Sequence, residues 1–304
     1  MTSPFHEGEL KIQQLTRESD AAASNGKLIS DRLPPGASSF ILQQSYCVLG
    51  RMLPDQSIWT IFIEATKGFA SADDEGKVLR FQIPNGMGSD THLPPIHKFH
   101  EGDPLGTLFI ELSTRRRLRV NGQITKSGED YFYMNIEEAY PNCPKYIQRR
   151  ELVNQPSATS PTSVKSGTVL DISLARWIQT TDTFFVASAN PDGMLDVSHR
   201  GGKPGFIKIE DGKLNIPDYP GNSMFGTIGN FAICPKAGIV LVDFANNRQL
   251  QMTGNVSLDL HSNCNVEATA GTGRWWSLEP QKWIISPLKS VYRWSDAEFS
   301  PFNP

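Results

Sequence analysis

The sequence feature that most constrains this chain is a half-domain that occurs twice. Ile110 to Ile124 aligns without a gap on Val242 to Val256, 132 residues later, with apolar residues at the same alternate positions. Within that match Arg116, Leu118 and Gly122 fall on Arg248, Leu250 and Gly254. Upstream, Gln43 matches Gln179, Pro54-Asp55 matches Pro191-Asp192 and Gly68-Phe69 matches Gly205-Phe206, at spacings of 136 to 137. Several matches in one order at nearly one spacing point to duplication. Two like units then stand side by side, and function is sought where they differ. The second unit carries Ser198-His199-Arg200-Gly201-Gly202 and a run from Gly221 to Asn230 that the first lacks.

A chain of 304 residues is long enough for two cores, and the repeat divides it near residue 155. The expected division is a first half over 1–153, a linker over 154–166 that is polar and holds two prolines, and a second half over 167–304. A net charge of −3 argues against a non-specific nucleic-acid binder. The first residues have neither the basic start nor the apolar centre of a signal peptide, and no apolar run approaches the ~20 residues that span a bilayer. A soluble, cytoplasmic chain without a membrane partner is expected. Cys47, Cys143, Cys234 and Cys264 lie far apart, as suits buried thiols in a reducing compartment.

Short runs rich in β-branched and aromatic residues dominate, bounded by Gly, Pro, Asn or Asp. Strands are expected in Trp59–Ala65, Gly106–Leu112, Arg117–Ile124, Asp130–Ala139, Thr183–Ala189, Gly205–Glu210, Gly238–Phe244, Gln249–Leu260 and Glu267–Leu278. Turns are expected at Glu75-Gly76, Asp192-Gly193 and Asp211-Gly212. Helices are expected over Glu7–Ser19, Ser38–Leu49, Cys143–Leu152 and Ser173–Gln179. The fold class is mainly β, a barrel or sandwich with short helices rather than a parallel sheet.

In the arginine-rich strand, period-two alternation puts Arg116, Leu118 and Val120 on one face and Arg115, Arg117 and Arg119 on the other. The first face is the core side, so Arg116 is expected to need a partner there. The second face gathers cations that require solvent or an anion opposite. Ser198 to Phe206 combines exposed glycine backbone with Arg200 and Lys203, which suits an anionic or planar ligand. Pro217 to Asn230 begins as a turn and offers Asn222, Ser223 and Thr227 around a helix N-terminus, where free N–H groups favour phosphate. Neither a P-loop nor a Rossmann glycine pattern is present.

These two segments, with Phe5 to Glu9, Arg115 to Gly122 and Asn142 to Arg150, resemble the flavin-nucleotide-binding proteins of the pyridoxamine 5′-phosphate oxidase-like superfamily. The resemblance implies a split β-barrel that pairs about a two-fold with FMN between the barrels. The duplication then implies two tandem split barrels in one chain, an intrachain pseudo-dimer whose first half has a degenerate cofactor site. It further implies that Ser198, His199, Arg200, Gly201, Gly202, Pro204, Gly205 and Phe206 line FMN, with Lys208 ending the cofactor strand. Asp218, Asn222, Phe225, Thr227 and Asn230 are the implied phosphate and ribityl loop. Thr227 stands where pyridoxamine phosphate oxidases carry a basic residue, and no counterpart of their basic substrate-phosphate site is recognisable.

The functional expectation is an FMN-dependent oxidoreductase acting on a small-molecule substrate or NAD(P)H, with Arg117 tuning the flavin and no metal. The alternatives are a non-catalytic flavin carrier or sensor and a haem-binding relative. Further pairing of whole chains stays open. Other constellations are weaker. His92, His97 and His100 are interrupted by two prolines, and no GxSxG nucleophile turn occurs. Trp275, Trp276 and Trp283 suit core packing better than flavin stacking.

Overall fold

The computed structural model describes residues 3–83, 98–153, 163–262, 266–288 and 293–304. The first half runs α1 (Glu7–Thr16), α2 (Ser19–Gly26), α3 (Ala37–Leu42), β1 (Tyr46–Met52), β2 (Ile58–Glu64), β3 (Ala70–Ala72), β4 (Val78–Gln82), β5 (Pro104–Glu111), β6 (Arg116–Ser127), β7 (Tyr131–Pro141) and β8 (Leu152–Val153). The second runs β9 (Lys165–Gly167), α4 (Ile172–Thr180), β10 (Thr183–Ala189), β11 (Leu195–Gly201), β12 (Lys208–Glu210), β13 (Lys213–Pro217), α5 (Gly226–Ile233), β14 (Lys236–Asp243), β15 (Arg248–Asp259), β16 (Trp275–Pro287) and β17 (Arg293–Trp294).

The repeat is visible in the hydrogen-bond ladders. One antiparallel sheet has the order β2-β1-β5-β6-β7-β4-β3 and the other β11-β10-β14-β15-β16-β13-β12, the same path strand for strand. Register agrees too. Gly50 faces Thr60 as Ala187 faces Val197, and Leu118 faces Phe109 as Leu250 faces Leu241. Both long hairpins are bulged at the same place, before Gly122 and before Gly254. The chain is therefore mainly β, two tandem split barrels paired as an intrachain pseudo-dimer.

Alternation assigns the faces. Leu118 and Val120 enter a core of the first half with Phe81, Phe109 and Phe132, and Leu250 and Met252 enter a core of the second with Phe184 and Trp276. A third core lies between the halves, where Val48, Ile58, Phe62 and Leu108 meet Phe185, Ala187, Val197 and Val240. The halves come together closely at two equivalent glycines. A Cβ on Gly106 would stand 2.7 Å from the Leu195 carbonyl oxygen, and one on Gly238 would stand 2.5 Å from that of Ile58. Only glycine admits backbone that near.

Some sequence expectations are corrected. The helix begun at Ser38 ends at Leu42, because the apolar run from Tyr46 is buried on both faces as β1, and an uninterrupted apolar run reads equally as helix or strand. Cys143–Leu152 is not a helix but an extended strap: Tyr146 is left-handed (φ 65°), and the Arg149 N–H bonds the Glu298 carbonyl. Glu267–Leu278 becomes a strand only at Trp275, after a short 3-10 turn and left-handed Ala270, Gly271 and Gly273. The first helix stops at Thr16, with left-handed Arg17 as its cap. Arg115 is left-handed (φ 56°) in the turn before β6 and so does not share its alternation. Arg116 is not on a core side, since its side chain is 62% exposed against Glu111. Trp276 is fully buried in the core of its half. The 154–166 linker lies largely outside the described residues, as do Cys264, His92 and His97.

Candidate functional site

A cleft opens where β6 and the strap of the first half meet β11 and the loops of the second. Ser198, His199, Arg200 and Gly201 line one wall, and these belong to β11 itself rather than to a loop after a strand. Phe206, Asp218, Asn222, Phe225 and Thr227 line the same side, so nine of the implied cofactor residues converge. Gly202, Pro204, Gly205, Lys208 and Asn230 do not line it. Gly202 packs on the Phe206 ring, Gly205 makes a left-handed turn (φ 90°), and Lys208 lies over the Trp275 ring. Asn230 is fully buried, donating to Ser188 (2.9 Å) and Asp196 (3.0 Å).

The opposite wall comes from the first half: Arg117, Arg119, Tyr140, Cys143, Lys145 and Tyr146. Arg117 and Arg119 share a face of β6 because their β6 neighbours Leu118 and Val120 face the core. Tyr146 crosses to the second half. Its Oη donates to the Pro220 carbonyl (3.0 Å), and its ring meets Tyr219 with centroids 5.0 Å apart. Burial, then Tyr146, pushes the Tyr219 phenol up to about 12.

The cleft has more positive charge than it neutralises. Arg200 and Arg274 both pair with Asp218, at 2.7 and 2.9 Å, and Arg274 also reaches Glu18 at 3.1 Å. Arg119 pairs with Asp196 (3.2 Å) and bonds the Val197 carbonyl, the Tyr140 hydroxyl and the Ser198 hydroxyl. Among the described residues Arg117 hydrogen-bonds only carbonyls, those of Cys143 (2.8 Å) and His199 (3.5 Å). Among the described residues neither Arg117 nor Lys145 has a carboxylate at ion-pair distance. Burial, with Arg119 and Arg200 nearby, pulls the Arg117 guanidinium down to about 10. Burial, with Arg117, Arg200 and Arg150, holds the His199 imidazole well below its ordinary value, so it is neutral.

Several polar groups in this wall are unused by the protein. Among the described residues, both ring nitrogens of His199 and Nε of Arg200 are buried without a hydrogen-bond partner. Helix α5 starts at the cleft with left-handed Phe225 as its cap and no side chain bonded to its first turn. Together these make an anion-accepting seat. Behind it, Asn121 bonds Asp196 (2.7 Å) and Glu138 (3.3 Å), while Glu9 accepts the His6 N–H (3.1 Å). Burial, then Asp196, raises the Glu9 carboxyl to about 8 and that of Glu138 to about 7.

The sequence reading missed Lys145 and Tyr146, which lay in a supposed helix, and Arg274, which lay in a supposed strand. The signal for Arg274 was the glycine pair Gly271 and Gly273 before it, and that for Lys145 and Tyr146 was the polar, basic run from Asn142 to Arg150. Among the described residues no group of three or more His, Cys, Asp or Glu is arranged for a metal ion, and no helix is long and apolar enough to cross a membrane.

No family model matches the chain, and no curated protein matches it. Solved structures do. HupZ of Group A Streptococcus is 12% identical, aligned over 41% of this chain and 98% of its own, with a TM-score of 0.31. HutZ, described as the heme storage protein of Vibrio cholerae, is 13% identical over 44% of this chain and 99% of its own, with a TM-score of 0.27. A pyridoxamine 5′-phosphate oxidase-related, FMN binding protein of Nostoc punctiforme is 12% identical over 41% and 90%, with a TM-score of 0.23. Each aligns over less than half of this chain. The solved structures to which the chain is similar thus include a pyridoxamine 5′-phosphate oxidase-related, FMN binding protein beside HupZ and HutZ.

Proposed function

We propose that the cleft binds FMN and that the chain is an FMN-dependent oxidoreductase. The observation that carries this reading is one cleft lined by Arg117 and Lys145, which have no carboxylate at ion-pair distance among the described residues, and by the start of α5, whose cap residue makes no side-chain bond. A mononucleotide phosphate is a dianion that such a seat suits. Its flat ring system has aromatic neighbours in Tyr146, Tyr219, Phe206 and Phe225, and hydrogen-bonding neighbours in His199 and Arg200. The flavin would supply the redox chemistry, while Arg200, Asn222 and Thr227 hold it and Arg117 sets the charge around it.

One flavin per chain is part of the reading. At the equivalent position of the other half, Phe62 replaces His199, and Gln249 and Gln251 replace Arg117 and Arg119. Phe62 there packs against Tyr46 (5.3 Å), Phe244 (6.3 Å) and Trp294 (6.5 Å). The cation that lies over the Phe244 ring there, Arg150, is paired with Asp182 at 2.6 Å.

Release and identification of the cofactor from purified protein, followed by anaerobic reduction with NADH or NADPH, tests the proposal. A flavin bleached by either donor supports an enzyme; a flavin that no donor reduces supports a carrier or sensor. A haem spectrum would sink the reading.

A further inference from the structure

The loop Asn222–Phe225 leads into α5 and lines the cleft, and two of its residues, Ser223 (φ 60°) and Phe225 (φ 62°), are left-handed. That conformation is disfavoured for residues with a Cβ and persists when surrounding structure determines it. The surrounding structure is the N-terminal helical pair. Asn25 donates to the Asn222 carbonyl (2.7 Å), Glu18 accepts from the Ser223 hydroxyl (2.6 Å), and Gln13 donates to the Met224 carbonyl (3.1 Å). The Met224 side chain joins Phe5, Ala22 and Tyr140 in a small apolar cluster. Three consecutive loop residues are thus each held by a polar side chain from about 200 residues away in sequence.

The helices are themselves anchored. A Cβ on Gly8 would stand 2.3 Å from the Gly229 carbonyl oxygen, so α1 lies directly on α5, and His6 Nε2 meets Asn230 Oδ1 at 2.8 Å. Glu18 is the joint of the arrangement. One oxygen takes Ser223 and the other takes Arg274 (3.1 Å), which pairs with Asp218 and lies over the Phe225 ring. Ser223, Arg274, Asp218 and Phe225 line the cleft, whereas Glu18 does not.

We infer that α1 and α2 form a clasp that sets the cleft loop in its ligand-ready shape, with Glu18 as a positioning residue. Its ligand, FMN, rests on the function proposed above. The test joins two readouts on the full chain: FMN affinity by quenching of flavin fluorescence, and amide hydrogen exchange across Asn222 to Ile228. Glu18→Ala should weaken FMN binding about tenfold and speed exchange in the loop, with β14 and β15 as protected as before. Asn25→Ala should do the same to a smaller degree, and Glu18→Gln, which keeps an acceptor for Ser223, should restore part of the loop protection.

Unchanged loop exchange in both alanine variants overturns the clasp. Faster exchange throughout Glu18→Ala means a lost fold, and Asn25→Ala with Glu18→Gln then decides by the same criterion. Should the unmodified protein not bind FMN, the flavin reading falls, while loop exchange still judges the clasp.

Discussion

Arg117 and Gln249 are equivalent residues of the two halves, 132 positions apart, and each donates to the same carbonyl of the opposite half's edge strand. Arg117 Nη1 reaches the His199 carbonyl at 3.5 Å, and Gln249 Nε2 reaches that of Phe62 at 3.3 Å. One step along, Arg119 and Gln251 reach the equivalent carbonyls of Val197 (3.1 Å) and Thr60 (2.9 Å). The pseudo-two-fold thus keeps these two carbonyl bonds and changes the charge of their donors. Two guanidiniums mark one side and two amides the other.

Replacing Arg117 by the residue of its counterpart therefore separates binding from architecture. Arg117→Gln retains a donor for the His199 carbonyl and removes a buried cation that has no carboxylate partner. Desolvating such a charge costs stability, so the ligand-free variant should melt no lower than the parent. FMN affinity should fall ten- to a hundredfold, the value of a charge-assisted contact of about 1.5–3 kcal/mol. Titration of flavin and a thermal melt give both numbers, and unchanged affinity would show that Arg117 does not face the cofactor.

Two neighbouring arginines should behave in opposite ways. Arg119 is 5% exposed and is the cation beside Asp196, Glu138 and Glu9. Arg119→Ala leaves that acidic group uncompensated and should cost about 3–5 kcal/mol. Arg116→Ala removes an exposed pair with Glu111, a bond to the Thr114 hydroxyl and a contact over the Phe40 ring, and should change stability by about 1 kcal/mol or less. Urea unfolding of both variants makes the comparison. Equal losses would mean that β6 is wrongly registered.

The alternation of Leu118 and Val120 was legible because apolar period-two patterns follow burial directly, but it put Arg116 on the core side, whereas the start of β6 leaves that side chain 62% exposed. The duplication was legible for the same reason: the two halves repeat one ladder. Alternation put Arg117 on the face away from the core, and the implied pseudo-dimer turned that face toward the second half. The strap could not be read, because Tyr146 owes its left-handed turn to partners across the cleft rather than to its neighbours. The role of Glu18 was equally hidden. A single polar contact 205 residues away in sequence leaves no periodic trace. Asn230, implied as a cofactor residue, instead bonds buried groups behind the cleft floor.

The acidic group behind the cleft predicts a pH response. Burial, then Asp196, raises the Glu9 carboxyl to about 8. Folded protein therefore holds its proton more tightly than unfolded protein does, and its stabilising contribution is complete below the ordinary carboxylate range. That contribution is lost as pH rises through about 8. Glu138, raised to about 7, acts in the same direction. Glu9→Gln keeps a side chain able to accept the His6 N–H and has nothing to titrate. Its melting temperature should decline less with rising pH and exceed that of the parent at the alkaline end. Parallel pH profiles for the two proteins would rule this out.

Arg200 tests the seat from the second half. Its Nη1 pairs with Asp218 at 2.7 Å, its buried Nε has no hydrogen-bond partner among the described residues, and its side chain lines the cleft. Asp218 keeps Arg274 when Arg200 is removed, so no carboxylate is stranded and Arg200→Ala should fold. Losing a charge-assisted phosphate contact should weaken FMN ten- to a hundredfold, or about 1.5–3 kcal/mol. Inorganic phosphate should compete with FMN in the parent and compete less well in the variant. Thr227→Ala should have a smaller effect, because the Thr227 hydroxyl donates to Ser198 (3.0 Å) and shapes the wall through it. Full flavin retention in Arg200→Ala, with phosphate competing as before, would falsify the assignment of the phosphate to this wall and leave Arg117 and Lys145 as the cations that hold it.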